Sequence, residues 1–375
     1  MKKFLRLICL CFVCLFISTG MMLMYRFPVD TQPFVEKKYA GWNGVLQVWI
    51  CSKWKPGGSF IRWLNHCSSS FEKAHDGVYL EFTPVQPEVM CKADGSGLYM
   101  PDLVLFSPGV FINSGILKEL HSFESLRNDL RDYGGGKAVP LALGGYVWAY
   151  NPSLCRNAPE SAADFLSATL PAGTNEHFYN ASLLGLLSDT SRKDDTELSM
   201  PDTGIDLGLP SSGSKLYTDS PLDMFIDGRI PYLPVDAQDI ARLTQLTERG
   251  IGPDWQTEAS GKIACTDQIL LAAIPWQQEN SERSKLAEMF IGHLLQPDAQ
   301  TALADIGAFS VTGETIHPSF SVYAETDTLL NSRPLWLPVC FSEYSVANSD
   351  AIVRRFLSGE ISAKNALRLL GFEGL

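Results

Sequence analysis

The sequence predicts an α/β protein built from two lobes. Three observations lead there. The chain of 375 residues is longer than one hydrophobic core ordinarily sustains, so two globular units are expected. Short apolar runs with strand character alternate with segments whose apolar residues recur at helical spacing. A Gly144-Gly145 pair then interrupts a strand-like run at 138–151, where a bend between units is expected.

The first body element is 45–50, Val-Leu-Gln-Val-Trp-Ile, a buried strand. Residues 59–74 follow with Phe60, Ile61, Trp63, Leu64, Cys67 and Phe71 on one helical stripe. Residues 78–83 alternate as a second strand, and 101–106 form a third. Helical pieces are expected at 117–120 and 123–130. In such an α/β unit, ligands sit beyond the carboxyl ends of the strands. After the crossing at 138–151, short helices are expected at 165–168, 182–187 and 221–227. A Ser/Gly loop lies at 210–217, a strand at 230–234 and an amphipathic helix at 236–246. Residues 263–274 read as another apolar strand, 281–295 and 297–306 as helices. A helical hairpin at 349–357 and 362–369 ends the chain.

Composition narrows the function. Hydrophobic residues at 45% and charged residues at 19% are globular values. A net charge of −12 without a basic cluster argues against nucleic acid, whose phosphates need grouped Lys and Arg. At the N-terminus, Lys2, Lys3 and Arg6 precede an uncharged apolar run over 7–24. That pattern directs the body across a membrane. The run approaches the ~20 residues that span a bilayer, so an uncleaved anchor and a cleaved signal peptide both fit residues 1–26. Cys9, Cys11 and Cys14 follow bulky residues, which disfavours lipid attachment. Residues 27–41 read as a polar linker. The body's Cys51, Cys67, Cys91, Cys155, Cys265 and Cys340 are too sparse for a disulfide scaffold and too irregular for zinc, so buried thiols are expected.

Four stretches, in order, resemble a known family. They are Gly44-Val45-Leu46-Gln47-Val48-Trp49 with the helix ending Phe71-Glu72-Lys73, and Pro101-Asp102-Leu103-Val104-Leu105-Phe106 with Gly115-Ile116-Leu117-Lys118-Glu119-Leu120. Then come Tyr150-Asn151-Pro152 with Phe225-Ile226-Asp227-Gly228-Arg229, and Lys285-Leu286-Ala287-Glu288-Met289-Phe290-Ile291 with Asp298-Ala299-Gln300. Together they resemble the extracellular solute-binding proteins of ABC importers, in the carbohydrate branch typified by the maltose-binding proteins. The resemblance implies a type II periplasmic-binding-protein-like fold whose lobes are joined by crossing hinge strands. It places lobe one at 42–143 plus 265–308 and lobe two at 144–264 plus 309–375. It further implies a monomer without cofactor or catalysis, which captures a small polar ligand, a sugar or oligosaccharide, by hinge closure and passes it to permease subunits.

The resemblance also implies where the cleft lies. Lys53 and Trp54 follow the first strand, Phe106 and Ser107 the third. Gly145 and Tyr146 occupy the crossing, Asp236 and Gln238 the second lobe, and Phe341 and Tyr344 the approach to the final hairpin. Asp267 and Gln268 are polar in an apolar run and need a hydrogen-bonding task. Structural roles compete: Phe106 ends an apolar strand and suits a core, Lys53 suits a solvated loop, and Asp236 suits a helix cap worth ~1 kcal/mol. Gly144 and Gly109 stand where maltose-binding proteins carry acidic residues, so the resemblance does not extend to a maltodextrin ligand.

Enzyme readings find less support. Asp202-Thr203-Gly204 lacks the second carboxylate that an aspartyl protease shares a proton with. Ser212-Gly213-Ser214-Lys215 lies in a loop with no Lys-Thr-Gly partner. A membrane-held sensory module and a carbohydrate-active enzyme stand as the alternatives; the latter needs a facing pair of carboxylates that no spacing singles out.

Overall fold

The structure is a computed structural model that describes residues 41–52, 54–86, 100–111, 114–156, 221–258, 264–276, 281–313, 322–332 and 335–341, with Ile352, Arg355, Glu360, Ile361, Asn365 and Leu369. Its first sheet has five strands in the order β2-β1-β3-β9-β4. These are β1 (Gly44–Cys51), β2 (Val78–Pro84), β3 (Leu103–Phe106), β4 (Val139–Leu143) and β9 (Ile269–Ala273). β1 runs parallel to β2 and β3, whereas β9 runs antiparallel to β3 and β4. β3, β4 and β9 are buried along their whole length, which explains why they read as unbroken apolar runs rather than alternating ones.

Helix α1 (Phe60–Ala74) buries Phe60, Trp63, Leu64, Cys67 and Phe71 against this sheet, the stripe that its spacing predicts. Trp63 also donates its indole N–H to the Ala299 carbonyl at 2.8 Å. The α1 stripe meets α4 (Ser281–Leu294) through Phe71 and Phe290, with ring centroids 5.1 Å apart. Pro297 opens α5 (Pro297–Thr301), which passes into a 3₁₀ turn over Ala302–Ile306 that Gly307 closes in the left-handed region at φ 68.

The second sheet has three antiparallel strands in the order β6-β5-β7. They are β5 (Val147–Tyr150), β6 (Tyr232–Val235) and β7 (Gln256–Glu258). Helices α2 (Pro221–Ile226) and α3 (Ala237–Glu248) flank β6 and pack against it. A two-stranded parallel pair joins β8 (Ala264–Cys265) to β10 (Leu335–Trp336), and α6 (Ala324–Ser332) precedes β10.

Three expectations change. Residues 117–120 and 123–130 are not α-helical. Lys118 N–H is drawn to Ile274 O and Leu120 N–H to Gly136 O, so the first piece is tied to its neighbours instead of to its own preceding turn. The second piece folds as tight turns, with Leu126 N–H on Phe123 O and Leu130 N–H on Arg127 O. The run 263–274 is not one strand: it breaks at Thr266-Asp267-Gln268 into β8 and β9. The expected elements at 165–168, 182–187 and 210–217, the N-terminal run 7–24, Cys91 and most of the C-terminal hairpin lie outside the described residues. Among the described residues no helix is long and apolar enough to cross a membrane.

Candidate functional site

The chain passes between the two sheets at a narrow waist. It leaves β4 through Gly144-Gly145-Tyr146 into β5, and it returns from β8 through Thr266-Asp267-Gln268 into β9. The two passes are bonded side by side: Gly144 N–H donates to Gln268 O at 2.7 Å, and Tyr146 Oη–H donates to Asp267 Oδ1 at 2.9 Å. Phe309 lies alongside the first pass, exchanging backbone hydrogen bonds with Leu143 at 2.8 and 2.9 Å.

Polar side chains gather at this waist. Asp236 is 3% exposed and caps α3, its Oδ1 accepting the N–H groups of Gln238 and Asp239 at 2.9 and 3.0 Å. Its Oδ2 accepts Gln268 Nε2 at 2.8 Å, so one carboxylate joins the second-sheet helix to the returning pass. Gln268 in turn receives support from Thr266, whose hydroxyl accepts the Gln268 N–H at 3.0 Å. Tyr323, just ahead of α6, has its phenol pKa raised by burial and further by the Asp236 charge.

Trp54 lies over the waist. A β-carbon on Gly144 would come 2.9 Å from Trp54 Cζ3 and 2.4 Å from Gln268 Oε1, so no larger residue fits there. The indole is 7% exposed and meets Phe60 edge-on with centroids 5.0 Å apart. Among the described residues its Nε1–H has no hydrogen-bond partner. A buried donor left unpaired costs about 1–3 kcal/mol, and few native side chains carry that cost. Ser52 supports the loop by donating to Trp54 O at 2.7 Å, and its hydroxyl is 3.4 Å from that of Ser107.

The proposed site residues thus divide into two groups. Trp54, Asp236, Gln268, Tyr146 and Asp267 converge at the waist, with Gly144 beneath them. Phe106 is fully buried, edge-on to Phe111 at 4.8 Å and stacked at 6.4 Å on Phe341, which is half-buried. Ser107 is buried beside that pair. Gly145 faces away, toward Leu330 and Thr326 of α6. Gln238 is exposed and contributes its backbone N–H to Asp236. Lys53 and Tyr344 lie outside the described residues. Sequence reasoning missed Ser52, Gly57, Gly307 and Tyr323. Pro56-Gly57-Gly58 is a legible turn signal, but nothing around Tyr323 carries a periodic pattern.

No protein-family model and no curated protein sequence matches the chain. Solved structures do. A cyclic alpha-maltosyl-1,6-maltose binding protein from Arthrobacter globiformis is similar at a TM-score of 0.58 and 12% identity, over 88% of this chain and 97% of that one. An ABC substrate-binding protein from Listeria monocytogenes, in complex with cycloalternan, gives a TM-score of 0.55 at 15% identity, over 88% and 100%. Iron-bound HitA from Pseudomonas aeruginosa gives 0.53 at 16% identity, over 84% and 99%. The chain has the α/β, two-lobed fold of the type II periplasmic binding proteins. Because one fold holds both an oligosaccharide and an iron ion, it does not by itself choose the ligand.

Proposed function

We propose that this protein is an extracytoplasmic solute-binding protein that closes its lobes over a sugar or oligosaccharide and delivers it to the permease subunits of an ABC importer. The waist carries this reading. Two passes bonded through Gly144–Gln268 and Tyr146–Asp267 give a short connection about which two α/β bodies can turn. A ligand touching both bodies then stabilises the closed form by its differential affinity.

The ligand class is supported by the residues above that connection. Sugars present flat apolar ring faces edged by hydroxyls, and a buried aromatic with an unpaired N–H donor suits such a group. Trp54 supplies both. Several solved neighbours are named for oligosaccharides, among them maltotriose, acarbose and mannotriose. Among the described residues no group of three or more His, Cys, Asp or Glu side chains is placed to hold a metal ion. In this reading lobe one comprises 42–143 with 265–308, lobe two 144–264 with 309–375, and the protein acts as a monomer by binding without turnover. Residues 1–26 export the body and, if retained, tether it to the membrane.

A thermal-shift series on the full-length protein tests the reading, with maltotriose, mannotriose, acarbose, simple polyols and ferric citrate as probes. A binding protein gains RT ln(1 + [L]/Kd), about 2.7 kcal/mol at a hundredfold excess over Kd. Stabilisation by an oligosaccharide, with no product released, is the expected result. Stabilisation by ferric ion alone would replace the sugar with a metal, and hydrolysis of the oligosaccharide would replace binding with catalysis.

A further inference from the structure

Next to the Asp236–Gln268 contact, the two bodies also touch through a patch made largely of backbone. Gly57 and Gly58 lie in the loop between β1 and α1, and Gly58 N–H donates to Ile306 O at 2.8 Å. That bond sets Gly57 beside Gly307, the residue that ends the 3₁₀ turn. The pair forms a notch without side chains on the first-sheet body. Two groups enter it: the hydroxyl of Tyr323, and Ala237, the first residue of α3 on the second-sheet body.

The fit leaves no room for a methyl group. A β-carbon on Gly57 would lie 2.9 Å from Tyr323 Oη, 3.0 Å from Ala237 O and 3.4 Å from Ala241 Cβ. On Gly307 it would lie 3.1 Å from the same hydroxyl and 3.2 Å from Ala237 Cβ. Gly307 has a second reason to be glycine, its φ of 68, but Gly57 does not adopt a left-handed conformation. At Gly57 the close approach is therefore the reason. Tyr323 is 8% exposed and is held edge-on to Phe309, with centroids 6.4 Å apart, so its hydroxyl cannot simply swing aside.

We infer that the Gly57–Gly307 notch and its Tyr323–Ala237 knob form a closure seam, a direct lobe-to-lobe contact that favours the closed form independently of ligand. The inference rests on the two-lobed hinge motion proposed above. Each atomic contact in such a seam is individually weak, so the seam biases the equilibrium rather than locking it. Binding affinity then depends on the seam as well as on the cleft, because apparent affinity scales with the competent fraction of the free protein.

Hydrogen–deuterium exchange of the full-length, ligand-free protein tests this. Gly57→Ala places a methyl in the notch without backbone strain. It should accelerate exchange in the peptides covering 237–243 and 322–326 by about threefold or more, leaving β1, β3 and β4 as protected as before. Adding Tyr323→Phe removes the nearest obstructing atom and should bring exchange back toward the wild-type rate. Gly292→Ala, whose β-carbon meets nothing closer than Phe123 Cε1 at 3.6 Å, should change neither segment. Unchanged exchange in Gly57→Ala would overturn the seam. So would a uniform rise through the first sheet that Tyr323→Phe does not reverse. Sugar titration is read separately: an intact seam without any sugar response rejects the proposed ligand, and a sugar response without the seam rejects only this inference.

Discussion

Gln268 donates its side-chain amide to the Asp236 carboxylate at 2.8 Å, and both residues are buried, at 2% and 3% exposure. Asp236 thereby serves as the cap of α3 and as the anchor of the returning pass. Replacing it with Ala removes two capping bonds and strands the Gln268 amide. The expected loss is about 2–4 kcal/mol, adding a cap to a buried donor left unpaired. Asp236→Asn keeps a capping oxygen and should cost less. Chemical denaturation of the two variants checks the order; equal losses would mean that the cap contributes nothing.

Trp54→Phe separates stability from binding. It keeps an aromatic ring at this position and removes an N–H that has no hydrogen-bond partner among the described residues. The ligand-free melting temperature should change little, because loss of an unsatisfied donor offsets the apolar area lost with the second ring. The shift produced by the best oligosaccharide probe should fall by about 1–3 kcal/mol equivalent. A variant that melts early yet binds as before would show that the indole N–H belongs to the core.

Gln300 offers the opposite case, a buried amide with every bond made. Its Nε2 donates to Leu141 O and Leu294 O at 3.1 and 2.8 Å, and its Oε1 accepts Ser310 Oγ–H and Val311 N–H at 2.9 and 3.0 Å. These bonds join α5 to α4, β4 and the segment 310–311 that follows Phe309. Gln300→Leu should destabilise by about 3 kcal/mol or more, since several buried groups lose a partner at once. Urea unfolding measures it, and a loss below about 1 kcal/mol would mean that water replaces the amide.

Cys67 and Cys340 have thiols that burial pushes up to about 12 from the usual 9.0. Their folded pKa is raised, so these groups favour the native state while both states stay protonated. Stability should fall as pH climbs from about 9 towards 12, the range in which only the unfolded thiols ionise. Near neutral pH, iodoacetamide should modify neither residue until the protein unfolds, as mass spectrometry of native and denatured samples would record. Rapid native labelling of Cys340 would contradict its burial near Tyr133.

Much of the first sheet was legible from the sequence because its strands are buried and its helix is striped. Leu46, Val48 and Ile50 alternate with Gln47 and Trp49, and the Phe60–Phe71 stripe repeats at helical spacing. Burial dictates both patterns directly. β7 was not legible, because Gln256, Thr257 and Glu258 form a short edge strand whose side chains face water on both sides. The turns at 123–130 were misread for a related reason: the apolar spacing is helical, but bonds to distant partners such as Val311 O decide the backbone there. At the waist, polarity betrayed Asp267 and Gln268, and a turn signal betrayed Gly144. Tyr323 gave no local sign, since its importance comes from what meets it across the notch rather than from its neighbours in sequence.

The two passes at Gly144–Tyr146 and Thr266–Gln268 lie side by side, and this has a kinematic consequence. One connection between two bodies would permit rotation about every axis. Two bonded side by side resist torsion and favour one flapping coordinate. A spectroscopic ruler fixed to one helix of each body would then report the complete trajectory of the molecule in a single scalar.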